Sequence, residues 1–312
     1  MDIQTLAQRL HKNLAAVIRG KDDVIDKVIL CTLCGGHILL EDLPGTGKTT
    51  MIKALAQSLD MQFTRVQFTP DLLPTDLTGV HIYDQKNQTF VFRPGPVFTN
   101  ILLGDEINRA TPRTQSSLLE CMEERQVTVD GETRQLAAPF LVAATQNPVE
   151  IQGTFPLPEA QLDRFFMRLA VGYPDEESER DMLTGRTERD PLTELSAVAT
   201  AADLLDAQEQ VRGVHIADNV KDYIVAIASA TRTDEKIRMG VSPRGSLAVM
   251  RAAQGHAGMA GRDFVLPDDV KAVCPDVLCH RILCKAAAHA QAEAAARVME
   301  QILNRVPAPE IR

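Results

Sequence analysis

The run Glu41-Asp42-Leu43-Pro44-Gly45-Thr46-Gly47-Lys48-Thr49-Thr50 carries the residue types needed to hold a polyphosphate. Gly45 and Gly47 let the backbone turn tightly and aim N–H groups at an anion, and a following helix adds the positive end of its dipole. Pro44, Thr46 and Thr50 complete the stretch expected to lie against the phosphates. Lys48 reaches the β- and γ-phosphates of such a ligand, and the Thr49 hydroxyl suits Mg²⁺. Asp42 stands where the full G-x-x-x-x-G-K-[ST] pattern has glycine. A carboxylate there would repel a triphosphate, so its side chain is expected at the strand exit, turned away from the nucleotide. The alternative is an ordinary glycine-rich strand-to-helix turn.

A second group follows at Ile101-Leu102-Leu103-Gly104-Asp105-Glu106, an apolar strand that runs into two carboxylates. Downstream of a phosphate loop, an acidic residue at a strand end holds Mg²⁺, and a neighbouring carboxylate can take a proton from an attacking water. These roles fall to Asp105 and Glu106 respectively. Phe140 to Thr145 reads as another buried strand that delivers Asn147 to its C-terminal end. Asn147 there could orient a water near the γ-phosphate, or could equally be a turn residue before Pro148. Arg109 and Arg113 are further charges that could face an interface or simply start a solvated helix.

Strands and helices must position these groups. His37 to Leu40 reads as a buried strand before the loop, and Met51 to Leu59 as a helix after it. Residues 1–20 form an amphipathic helix ending at Gly20, and Asp22 or Asp23 would cap a second over Val24 to Cys34. Phe63 to Phe68 alternates as a half-buried strand does. Residues 69–98 are broken by Pro70, Pro74, Gly79, Pro94, Gly95 and Pro96 around two short β-like runs, an inserted hairpin or loop with little core of its own, or else a plain connector. Pro112 opens a helix to Glu124, and alternation on both sides of Asp130-Gly131 signals a hairpin over 126–136. Glu159 to Asp163 reads as a short helix, followed by Arg164 and a strand over 165–171. Beyond a boundary at Tyr173-Pro174-Asp175 the chain is expected to be helical over 175–189, 194–211, 217–231, 242–260 and 267–303. The division is 1–173 and 174–312.

With 312 residues, 45% of them hydrophobic, the chain can build one large or two medium domains. Its net charge of −9 would repel a nucleic-acid backbone, and 4% aromatics with no Trp leaves little to stack on bases. The acidic, amphipathic start is neither a secretory signal nor a transit peptide, and no apolar run approaches the about 20 residues needed to cross a bilayer. A cytoplasmic protein is expected. Six cysteines, including the Cys31-x-x-Cys34 pair, lack metal-site spacing and read as buried, reduced thiols.

The succession of the phosphate loop, Leu-Gly-Asp-Glu-Ile-Asn-Arg-Ala (103–110), Thr-Gln-Asn-Pro (145–148), Leu-Pro-Glu-Ala-Gln-Leu-Asp-Arg-Phe (157–165) and Ser-Pro-Arg (242–244) resembles the MoxR family of AAA+ ATPases over nearly the whole chain. The resemblance implies an α/β fold, a five-stranded parallel sheet in an αβα core followed by a small all-helical lid. It makes 69–98 the helix-2 insert and 126–136 the hairpin before sensor 1. Carried over residue by residue, Asn147 matches sensor 1, Arg164 the arginine finger and Arg244 sensor 2. It implies ATP and Mg²⁺, a homo-oligomeric ring, usually a hexamer, and chaperone-like remodelling, maturation or metal insertion of client proteins, including partners with von Willebrand factor A domains. A slow nucleotide-gated assembly switch is the alternative of another class, and a DNA motor is disfavoured by the charge. The absence of an Asn-Lys-x-Asp motif favours ATP over GTP.

Overall fold

The computed structural model describes residues 1–42, 45–147, 153–185, 191–287 and 290–310. Helix α1 (Ile3–Val17) starts where the Asp2 side chain accepts from the Thr5 N–H, and it buries the stripe Ile3, Leu6, Leu10 and Leu14. In α2 (Asp22–Leu33), Asp22 and Asp23 lie in the first turn and Lys21 holds the cap position. The expected cap by either aspartate is therefore corrected: both act on the helix dipole from within the first turn.

Strand β1 (Ile38–Glu41) and helix α3 (Lys48–Ser58) flank the glycine loop. Then come β2 (Phe63–Gln67), α4 (Pro74–Thr78), the antiparallel pair β3 (Gly79–Asp84) and β4 (Thr89–Pro94), and β5 (Ile101–Asp105). Helix α5 (Pro112–Glu124), the hairpin β6 (Gln126–Val129) and β7 (Glu132–Gln135), β8 (Leu141–Gln146), α6 (Glu159–Leu162) and β9 (Met167–Leu169) follow.

Five strands form one parallel sheet in the order β2-β5-β8-β1-β9. Near-continuous apolar runs make its central strands, because both faces are covered. Ile38, Leu40, Leu103 and Ala143 point into a core shared with α1, α2 and α3. Leu39, Leu102, Val142 and Ala144 point the other way, into a core with Leu118, Leu119 and Met122 of α5. The register aligns the strand ends: Glu41 is level with Gln146, and Gln67 with Asp105. The glycine loop after β1 and the acidic pair at the end of β5 are thereby brought to one sheet edge.

The C-terminal part is helical: α7 (Glu176–Gly185), α8 (Ala201–Gly213), α9 (Asp218–Thr233), α10 (Pro243–Met259), α11 (Pro267–Leu278) and α12 (Gln291–Arg305). Two expected helices are corrected. Residues 194–200 do not join α8. Val198 and Ala199 donate their N–H groups to Ser58 O, and a capping box of Thr200 and Asp203 starts the helix. The expected helix over 267–303 is broken. Leu283 and Cys284 form β11 (Leu283–Cys284), which pairs with β10 (Ile237–Met239), and a 3-10 turn, Cys279–Arg281, precedes it. The lid therefore carries a two-stranded ribbon among its helices. Helix α1 packs against α2, α3, α8 and α10, so the N-terminal helices sit between the sheet and the lid.

No cysteine is in a disulfide; five are buried and Cys34 is half-buried. Burial pushes the Cys34 thiol up to about 12. No helix among the described residues is long and apolar enough to cross a membrane.

Candidate nucleotide site

A cleft of about 860 Å³ lies over the C-terminal edge of the sheet. The loop after β1 forms one wall. Gly45 and Gly47 have φ of 85° and 87°, in the left-handed region that only glycine adopts at no steric cost, and an added Cβ at either would meet nothing within 4 Å. The backbone there is open to a ligand. Thr46, Lys48, Thr49 and Thr50 also line the cleft, and the N-terminus of α3 opens on it. Pro44 lies outside the described residues.

Asp42 keeps its carboxylate clear of this loop. Its Oδ2 accepts the Gly172 N–H at 2.5 Å, and its backbone carbonyl accepts from Lys48 Nζ at 2.9 Å. The residue that breaks the glycine pattern thus tethers β1 to the segment after β9 and helps aim the lysine. Partial burial pulls the Lys48 pKa down, while Asp42, Asp105 and Glu106 push it back up.

The acidic pair faces Lys48 from the end of β5. Asp105 Oδ2 lies 2.6 Å from Arg65 Nη2, and Asp105 Oδ1 accepts from Thr145 Oγ1 at 2.5 Å. Glu106 has φ 56° and ψ 52°, a left-handed conformation that costs a non-glycine residue of order 1–3 kcal/mol. Its N–H donates to Thr145 Oγ1 at 2.8 Å. One hydroxyl therefore anchors both the carboxylate of Asp105 and the backbone of Glu106. The Glu106 carboxylate accepts at Oε2 from Gln67 Nε2 at 2.8 Å and lies 2.9 Å from Arg109 Nε. Asn147 lines the same cleft, one residue past β8. Arg113 is exposed in the first turn of α5.

The donors suit a small hard cation. Thr49 and Asp105 offer oxygen only, as Mg²⁺ prefers. Among the described residues no cluster of three or more His, Cys, Asp and Glu could enclose a metal. Thr49 and Asp105 are the residues that would hold Mg²⁺, an ion that ordinarily keeps several waters.

Three positioning residues carry no signal in the motif reading: Arg65, Gln67 and Thr145. Arg65 and Gln67 alternate on β2, where the pattern shows only a half-buried strand, and the ion pair to Asp105 appears once β2 lies beside β5. Thr145 belongs to the quoted Thr-Gln-Asn-Pro run, but its hydroxyl gives no local hint of a role.

The two remaining arginines lie elsewhere. Arg164, in the turn after α6, and Arg244, in the first turn of α10, are not among the residues lining the cleft. Arg164 Nε lies 3.0 Å from Glu123 Oε2, and Arg244 Nη2 pairs with Glu123 Oε1. Glu123 sits at the end of α5. The structure brings Lys48, Thr49, Asp105, Glu106 and Asn147 together, and separately brings Arg164 and Arg244 together.

A phosphate loop on a β2-β5-β8-β1-β9 parallel sheet with a helical lid defines a phosphate-loop ATPase module. Residues 37–167 match the model of the ATPase family associated with various cellular activities, and residues 229–302 match its lid domain. The chain is 47% identical to the uncharacterized protein YeaC of Bacillus subtilis, with 99% of this chain and 96% of that one covered. It is 39% identical to chaperone MoxR1 of Mycobacterium tuberculosis over 99% of this chain and 84% of that one. The 2.00 Å crystal structure of a candidate ATPase from Cytophaga hutchinsonii superposes with a TM-score of 0.91 at 38% identity, covering 99% of this chain and 96% of that one. The chain belongs to the MoxR family of AAA+ ATPases.

Proposed function

We propose that the protein hydrolyses ATP in a ring of identical subunits, usually six in this family, and uses the cycle to remodel or activate a partner protein. Residues 1–173 act as the ATPase core and 174–312 as its lid. One observation carries this reading. The cleft of a single chain gathers a phosphate cradle, residues suited to a metal, and a base, while Arg164 and Arg244 are not among the residues that line it and pair instead with Glu123. Phosphoryl transfer spreads charge over the equatorial oxygens, and a cation arriving from outside lowers that barrier. A second copy of the chain would supply it.

Within the cleft the roles follow from position. The loop at Gly45 and Gly47 seats the triphosphate, and Lys48 neutralises its terminal oxygens. Thr49 and Asp105 would hold Mg²⁺, which when bound would supply charge stabilisation to the phosphates. Glu106, oriented by Gln67 and Arg109, takes the proton of the attacking water, and Asn147 orients that water near the γ-phosphate.

The name of chaperone MoxR1 supports remodelling as the output. Metal insertion and partners bearing von Willebrand factor A domains remain the finer form of that proposal, and a cytoplasmic location goes with it. Turnover measured with and without a captured partner tests the output. Stimulation supports a remodeller, whereas ATP-dependent assembly with slow, unstimulated turnover means a nucleotide-gated switch. Partners can be captured with Glu106→Gln, which should hold ATP without releasing product.

A further inference from the structure

Next to the two arginines the lid and the core are joined at a buried node. We propose that Arg281 is a positioning residue that makes Arg164 and Arg244 a single two-guanidinium unit. The proposal rests on the reading of those arginines as groups supplied to a neighbouring subunit's nucleotide.

Arg281 closes the 3-10 turn after α11, and its side chain is 2% exposed. Its Nε donates to Asp163 Oδ1 at 2.8 Å. Its Nη2 donates to the carbonyls of Phe165 at 2.7 Å and Asp163 at 3.3 Å. Its Nη1 donates to Phe166 O at 3.1 Å and to Val277 O. One guanidinium from the lid thus grips the backbone on both sides of Arg164. The other oxygen of Asp163 accepts from Ser242 Oγ at 2.9 Å. Ser242 is the N-cap of α10, and its Oγ also accepts from the Gly245 N–H. Asp163 immediately precedes Arg164, and Ser242 stands two residues before Arg244. The Asp163 carboxylate therefore sits between Arg281 and the cap that sets the direction of Arg244.

Two further features fit a built contact. A Cβ on Gly245 would come within 2.6 Å of Val241 Cγ1 and 3.1 Å of Arg281 Cδ, so the glycine leaves room for both Val241 and the arginine stem. His280 Nε2 lies 3.0 Å from the same Phe165 carbonyl. Burial pulls the Arg281 pKa down and Asp163 offsets this. Glu123 then pairs the two guanidinium heads at the surface. The planar fork of arginine saturates this set of acceptors, whereas a lysine could reach only part of it. The node predicts that the core arginine and the lid arginine reach a phosphate together or miss it together.

The test uses ATP turnover of the full-length, assembled protein with Arg281→Lys, Ser242→Ala and Ser242→Thr. Misplacing both arginines by about 1 Å should lower kcat by about 10–100-fold. KM and nucleotide affinity should not change, because Lys48 and the loop are untouched. Ser242→Thr, which keeps the hydroxyl, should restore kcat. Each loss should vanish on an Arg164→Ala, Arg244→Ala background, since there is then nothing left to position. Normal kcat in both Arg281→Lys and Ser242→Ala, or losses that persist undiminished on that background, would overturn the proposal. Should Arg281→Lys not fold, Ser242→Ala alone decides. If Arg164→Ala and Arg244→Ala themselves leave kcat unchanged, the underlying reading of the arginines has failed, and this proposal goes with it.

Discussion

Arg164 and Arg244 meet on one carboxylate, that of Glu123, although one belongs to the core and the other to the lid. Neither lines the cleft that holds Lys48. Their shared partner keeps two like charges side by side at the surface, where each remains available to another molecule. Substituting either arginine by alanine should lower kcat by about 10³-fold or more, the usual range for an arginine supplied to a phosphoryl transfer. Nucleotide affinity measured by a fluorescent ATP analogue should stay close to wild type. Glu123→Ala should change unfolding free energy by less than about 1 kcal/mol, because the pair is exposed.

The cradle and the base should separate cleanly by experiment. Lys48→Ala should abolish nucleotide binding in a calorimetric titration. Glu106→Gln should bind ATP and lose about 10²–10⁴-fold in steady-state phosphate release, the range for a positioned general base. Wild-type turnover in Glu106→Gln would remove Glu106 from the mechanism.

Thr145 offers a sharper test of positioning. Its hydroxyl donates to Asp105 and accepts from the N–H of Glu106, which sits in a left-handed conformation. Thr145→Val keeps the shape and leaves that N–H without its acceptor, at a cost of about 1–3 kcal/mol. Denaturant unfolding should show the loss of stability. Turnover should fall as well, and Mg²⁺ dependence should shift to higher concentration as Asp105 loses its anchor.

Acid should weaken the fold through His37. Its Nδ1 accepts the Val142 N–H at 2.9 Å, so Nε2 carries the proton and donates to Met122 O at 3.0 Å. Burial, helped by the charge of Arg125, pulls its pKa from 6.5 down to about 4. The unfolded chain therefore binds the proton first. The stabilisation is fully present above pH 6.5 and is lost as the pH falls towards 4, by roughly 3 kcal/mol. Urea unfolding at pH 7.5 and pH 4.5 checks the direction, and equal stability at both would contradict it.

Much of the site could be read before folding because its residues are local. Gly45 to Thr50, Asp105 with Glu106, and Asn147 each lie at the end of an apolar strand, and strand ends sharing an edge share a cleft. Arg65, Gln67 and Thr145 escaped because their partners come from neighbouring strands, and register is invisible in a single run of sequence. The helix expected over 267–303 failed for a related reason. Leu283 and Cys284 pair with a strand far away in the chain, and Arg281 is buried against acceptors in the core, where an arginine is ordinarily assumed to be exposed. The start of α8 is legible in the Thr200–Asp203 capping signature, which a helical run beginning at 194 overlooks.

The claim that two subunits build each active site is tested most directly by mixing. Lys48→Ala subunits cannot seat ATP but keep their arginines, and the Arg164→Ala, Arg244→Ala double variant keeps its cleft but lacks the arginines. Alone, the first should hydrolyse no ATP and the second only at a residual rate at least about 10³-fold below wild type. Mixed under conditions where they co-assemble, they should regain ATP hydrolysis at the junctions where an intact cleft meets intact arginines. Mixed rings that form, shown by ultracentrifugation of differently labelled subunits, yet hydrolyse no ATP would contradict the account.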